Sequence, residues 1–136
     1  MKIRYILLFA FFTIANFSFS QCNEVATASE EYFSDDFVSD GQTYRALLLK
    51  DQVAEFSSLF YGGTTYRISA STGTDKGIIF NVLDQERNLI YSSEDYEKSA
   101  FWDFEVENTL NWTIEAKLDP AVQSSGCAVI LIGFRE

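Results

Sequence analysis

The sequence predicts a mainly β fold: an antiparallel β-sandwich or jelly roll of about eight strands, with a short N-terminal helix. Three observations carry that prediction. From Gln42 onward, apolar and polar residues alternate with a period of two. The alternating runs are short and are divided at near-regular intervals by turn-forming stretches at 62–63, 72–77, 84–87, 108–109 and 119–126. No helical periodicity lies between the runs, as the crossovers of a parallel sheet would require.

Strands are expected at 43–50, 54–61, 65–71, 78–83, 88–92, 101–107, 111–118 and 128–134. Their faces can be read directly. Tyr66, Ile68 and Ala70 form one core face, and Ile78, Phe80 and Val82 another. Trp102, Phe104 and Val106 alternate with Asp103, Glu105 and Glu107, and Trp112, Ile114, Ala116 and Leu118 alternate with Asn111, Thr113, Glu115 and Lys117. Both tryptophans therefore belong to apolar faces. The run Ala128-Val129-Ile130-Leu131-Ile132 is apolar on both faces, which places it in the middle of a sheet.

Ahead of the strands, residues 21–41 carry Val25, Ala28, Tyr32, Phe33 and Phe37 at approximately helical spacing, with Asn23 as a cap and Asp40-Gly41 closing the segment. Such a helix is marginal alone and is expected to dock on the sandwich formed by 42–136. Residues 1–20 have the three parts of a secretory signal. Lys2 and Arg4 make a basic start, an apolar stretch runs from Ile6 to Ala15, and the small residues Ser18 and Ser20 place cleavage before Gln21. The expected location is periplasmic or secreted, with no integral membrane segment after cleavage. Cys22 and Cys127 are the two cysteines. They lack a CxxC spacing, and an exported chain with an even count points to a disulfide between them.

Composition removes several function classes. The 136 residues include no His, so His-based triads and His-ligated metal centres are excluded. Without the leader, 20 acidic side chains face 8 basic ones, the wrong balance for nucleic acid or an anionic membrane surface. Acid pairs such as Asp35/Asp36, Asp84/Glu86, Glu94/Asp95 and Glu105/Glu107 fall in turns or on outward strand faces. Water keeps them ionised there, whereas a hydrolase commonly needs one carboxyl with a raised pKa. The chain is read as non-enzymatic.

What remains is binding. Calcium takes several oxygens from flexible loops, and the turn residues Asp75, Asp84 and Glu86, with Asp35, Asp36 and Asp40, are those it would use; plain solvation is the alternative. No other cofactor is expected. Tyr61, Arg67, Tyr91 and Tyr96 lie near turns and combine flat aromatic surface with a fork-shaped donor, so they are the candidate ligand contacts. Arg67 also belongs to a local echo, Gly41-Gln42-Thr43-Tyr44-Arg45 and Gly63-Thr64-Thr65-Tyr66-Arg67. Two similar turn-to-strand connections explain the echo; a ligand-reading Tyr/Arg pair is the sharper reading. The expected partner is a glycan or a protein at the cell surface. A binding or accessory module, a structural protein of a surface assembly, and a carbohydrate-binding module all stay open.

The stretches Tyr66-Arg67-Ile68, Ile79-Phe80-Asn81-Val82-Leu83-Asp84, Asn88-Leu89-Ile90-Tyr91, Trp102 to Val106, Trp112-Thr113-Ile114 and Ser125 to Phe134 together form a pattern. It resembles small secreted proteins of Bacteroidota and, more distantly, the pre-peptidase C-terminal type of jelly-roll module. The resemblance covers the last half to two thirds of the chain beyond the leader. It implies a jelly roll, export and a calcium-tolerant accessory role, with Asp84 as the comparable acid. Modules of that type commonly follow a protease domain, and no protease pattern is present in this sequence.

Mass spectrometry of the exported protein is expected to find Gln21 as its first residue. A diacylated Cys22, or intact Met1 in a membrane pellet, would contradict the leader reading.

Overall fold

The computed structural model describes residues 22–33 and 36–135. The leader, its junction at Gln21 and the acid Asp35 lie outside the described residues. Alternation gives each strand one apolar face, and burying those faces against each other makes a sandwich. The strands are β1 (Val38–Leu49), β2 (Val53–Phe60), β3 (Thr64–Ser71), β4 (Ile78–Leu83), β5 (Leu89–Ser92), β6 (Phe101–Val106), β7 (Leu110–Leu118) and β8 (Ser125–Arg135). They form two antiparallel sheets of order β1-β8-β3-β6 and β2-β7-β4-β5. Within the sheets only β4 and β5 are both paired and consecutive, and the order is that of a jelly roll.

Between the sheets lie Ile68, Ala70, Ala128, Ile130 and Ile132 from one side, and Phe60, Phe80, Val82, Ile114, Ala116 and Leu118 from the other. Trp102 and Trp112 are half-buried and pack on this core as expected. β8 runs between β1 and β3, in the middle of its sheet, where its two apolar faces require it.

The outer face of β8 is covered by the N-terminal segment. Residues 22–29 are helical, a 3-10 turn follows at Glu30–Tyr32, and Ala26, Val25 and Phe33 pack on Val129 and Leu131. Gly133 makes this approach feasible: a Cβ there would sit 2.9 Å from the Phe33 ring. Cys22 is bridged to Cys127, with 5.4 Å between the Cα atoms and 105 positions between the residues. No helix of the described residues is long and apolar enough to cross a membrane.

Two expectations about this segment are corrected. The helix ends at Ser29, not near 41, because β1 begins at Val38. Gly41, at φ +85°, produces a register shift between Ser39 and Thr43, and the strand continues through what the sequence suggested was a turn. The buried helical positions are Ala26 and Ser29, whereas Ala28 is exposed. Ser29 tolerates burial because its hydroxyl donates to the Val25 carbonyl at 2.6 Å.

The connections gather at two ends. At one, the Lys50 amide donates to the Ser124 carbonyl at 2.6 Å, the Asp119 amide to Gly77 at 2.9 Å, and Gln123 Nε2 to Thr72 Oγ1 at 2.8 Å. At the other, the Gly62 amide donates to Thr109 Oγ1 at 3.1 Å and the Gly63 amide to Val106 at 2.7 Å.

Replacing both cysteines by serine removes a cross-link over a long loop and is expected to cost about 4–5 kcal/mol in urea unfolding. Gly133→Val, which drives a side chain into Phe33, is expected to expose the helix amides of residues 22–29 to hydrogen exchange while the strand amides stay protected.

Candidate functional site

The residues singled out in the sequence do not gather in one site; Tyr91 with Tyr96, and Asp84 with Glu86, are neighbours. Arg67 is committed inside the fold. Its guanidinium binds both oxygens of Asp103 at 2.6 and 2.8 Å, donates to the Tyr32 carbonyl at 2.7 Å, and lies 4.3 and 4.2 Å from the centroids of Phe37 and Phe101. It is a clamp on the N-terminal segment. Tyr91, expected near the surface, is instead 5% exposed and stacks at 4.5 Å on Trp102. Burial, with Tyr96 and Asp95 nearby, pushes its phenol up to about 12. The four-residue strand β5 carries it inward beside β4.

Tyr96 is 62% exposed and lies parallel to Tyr91, 5.3 Å between centroids. It shares a hollow of about 440 Å³ with Asp75, Tyr32 and Glu31 at the loop end stitched by Asp119. Asp84 and Glu86 line a different hollow of about 470 Å³, beside Trp112. Asp75 belongs to the β3–β4 connection and the other two to the β4–β5 connection, at opposite ends of β4. These three acids therefore do not share one ion. Among the described residues, no group of three or more His, Cys, Asp or Glu side chains is arranged to hold a metal.

Asp84 builds its own turn. Its carboxylate accepts from the amides of Glu86 and Asn88 and from the Asn88 side chain, which together hold its pKa below the ordinary range. That turn aims Arg87 across the outer sheet face at Glu55, 2.8 Å away, and Glu115, 3.4 Å away. The two glutamates are direct cross-strand partners on β2 and β7. Like charges in that position repel, and Arg87 offsets the repulsion.

Tyr61 marks a further hollow, of about 530 Å³. Its position follows from topology: β1 and β2 are each hydrogen-bonded on one side only, so the sandwich is open along this edge. β1 contributes Asp40, Gln42 and Tyr44, β2 and its exit contribute Ser57, Ser58, Leu59 and Tyr61, and Tyr66 and Phe134 close the floor. The aromatics are held from behind. Tyr44 leans on Phe56 at 5.2 Å, and Tyr66 meets Phe60 edge-on at 4.9 Å. Tyr44 Oη donates to Gln42 Oε1 at 2.5 Å, and Tyr66 Oη accepts the Tyr61 amide at 2.9 Å. Tyr61 itself stands 60% exposed at the rim.

Apart from Tyr61, the sequence reading missed this groove, because an inward-facing tyrosine on a strand reads as core. One signal did mark it. Both tyrosines of the Gly-x-Thr-Tyr-Arg echo, Tyr44 and Tyr66, line the groove. Both arginines point to the other side, where Arg45 bonds Asn23 and Arg67 bonds Tyr32.

No family model matches the chain, and no curated protein matches its sequence. The fold does have a solved counterpart. PliG of Aeromonas hydrophila, a periplasmic inhibitor of g-type lysozyme, superposes with a TM-score of 0.55 at 10% identity, over 76% of this chain and 91% of that chain. At that identity the likeness is one of fold. An antigen and type I fimbria protein of Burkholderia pseudomallei aligns over 76% of this chain and 77% of that chain, at 17% identity and a TM-score of 0.29, too loosely to carry an argument.

Two carboxylates give opposite pH signatures. Asp40 is exposed overall, but its carboxyl is partly enclosed by the groove wall, and this raises its pKa despite the bond from the Gln42 amide. Its cost appears as pH rises above its ordinary value of 3.8 through the raised one, so Asp40→Asn is expected to be neutral or slightly stabilising at neutral pH, within about 0.5 kcal/mol. Asp119, paired with Lys98, has a lowered pKa. Its contribution is present above 3.8 and disappears as pH falls through the lower folded value. Urea unfolding across the acid range is expected to show Asp119→Asn less stable than wild type at neutral pH, with the gap closing in acid.

Proposed function

We propose that the protein is an exported accessory module that acts by binding, not by catalysis, and that its ligand sits in the groove between β1 and β2. The observation that carries this reading is the cluster of Tyr44, Tyr61, Tyr66 and Phe134 at the side of the sandwich bounded by the edge strands β1 and β2. Aromatic surface held rigid from behind, with a few convergent polar groups, is the usual construction of a small-ligand site. Export is supported by the leader pattern and by the Cys22–Cys127 bridge, a bond suited to an oxidising compartment. A non-catalytic role is supported by the use made of the charged groups: Arg67, Arg87, Asp84 and Asp119 each hold structure, not a reacting atom.

The test is a thermal-shift screen of the protein without its leader against glycans, peptides and envelope proteins. A g-type lysozyme belongs in that panel because PliG, which shares the fold, inhibits one. A ligand at a hundred times its dissociation constant adds about 2.7 kcal/mol of stability. Tyr61→Ala, at an exposed position, is expected to change stability by less than about 0.5 kcal/mol and to cut that ligand shift to about half or less. A ligand that still shifts Tyr61→Ala and Tyr44→Ala as it shifts wild type places the site elsewhere. Turnover of any panel member refutes the non-enzymatic reading.

A further inference from the structure

Resting on the groove as the binding site, we propose that its ligand is a short neutral oligosaccharide. Charge is the first argument. The groove lining contains one acid, Asp40, and no Lys or Arg. An anionic ligand such as a uronic-acid chain, a phosphate or a nucleic acid finds no counter-charge there and meets a chain with a formal net charge of −10.

The chemistry of the walls is the second. The face of an aromatic ring is its electron-rich side, and the axial C–H groups of a pyranose present a weakly positive, apolar surface that lies flat on it. Tyr61 offers such a face at the rim, and Tyr44 and Phe134 offer half-buried ones deeper in. Around them stand groups suited to sugar hydroxyls. Asp40 is a charged acceptor, and the Gln42 amide nitrogen is a donor left over when its oxygen accepts from Tyr44. Ser57, Ser58 and Thr64 add hydroxyls of either polarity. About 530 Å³ lies within the range of about 300–1,000 Å³ usual for small-ligand sites.

The backbone supplies the third argument, against an extended peptide. An edge strand recruits a peptide by offering a row of unpaired amides. At the groove β1 shifts register between Ser39 and Thr43, the Gly41 amide donates to Ser39 Oγ at 3.1 Å, and the Gln42 amide donates to Asp40 Oδ1 at 2.9 Å. On β1 the edge is capped by its own side chains at the place where a peptide strand would add.

Isothermal titration of the leaderless protein with soluble cello-, xylo-, manno- and malto-oligosaccharides tests the proposal, with oligogalacturonates and a mixed peptide pool as competitors. Binding of at least one neutral series at millimolar concentration or tighter is expected, with amide shifts on Asp40, Tyr44, Ser57 and Tyr61 in NMR spectra. Tyr61→Ala is expected to weaken it about tenfold or more, while Tyr61→Phe, which keeps the ring face, stays within about threefold. Tyr96→Ala, in the other hollow, leaves it unchanged. Failure of every neutral series to bind overturns the oligosaccharide assignment. If a peptide or a galacturonate then shifts the same amides, the groove reading survives and the ligand class does not. Neutral-sugar binding that is indifferent to Tyr61→Ala and shifts amides elsewhere overturns the groove reading itself.

Discussion

Cys127, Val129 and Leu131 point away from the sandwich interior, and water would reach all three if the N-terminal segment did not lie over them. A central strand with two apolar faces needs two covers. The second sheet supplies one, and a chain that folds as a single jelly roll must find the other among its own residues. Here it is a helix of eight residues, too short to persist alone. It is held at one end by a covalent bond to β8 and at the other by Arg67, clamped between the rings of Phe37 and Phe101. Much of the molecule's chemistry is thereby committed to attachment.

That commitment explains how one short sequence pattern serves both sides of a sheet. In each copy of Gly-x-Thr-Tyr-Arg, successive residues face opposite ways. Tyr44 and Tyr66 turn toward the gap between the sheets, where they floor the groove; Arg45 and Arg67 turn outward to Asn23 and Tyr32. The aromatic cleft and the docked helix are built on the same two strands, separated by β8. Loosening the helix removes a partner from each arginine, and each arginine is next to a tyrosine of the cleft.

The eight strands were legible because period-two alternation is strong in 101–118 and because β8 is too apolar to lie anywhere but in the middle. Boundaries failed where local chemistry overrides the pattern. Asp40-Gly41 looks like a turn, yet a glycine at positive φ lets β1 continue through it as an irregularity. Ser29 looks like a surface residue, yet its back-bonded hydroxyl lets it face β8. Tyr91 sits just before a 3-10 turn and reads as a rim aromatic, but the brief β5 turns it into the stack with Trp102. The groove draws on four strands, β1, β2, β3 and β8, and no linear window contains it. Besides Tyr61, only the echo gave it a trace in one dimension.

The connectivity of the bridge also orders events in time. Cys22 opens the described residues, whereas Cys127 lies in the eighth described strand, which pairs along its length with the first. Cys22 has no partner thiol, and β1 no sheet neighbour, until β8 has been made. The chain is thus kept open by its own topology while it is being synthesised, and closes late and non-locally, as high contact order dictates. A jelly roll whose first and last strands are neighbours, sealed by one long-range disulfide, carries its own delay against closing before the last strand is in place.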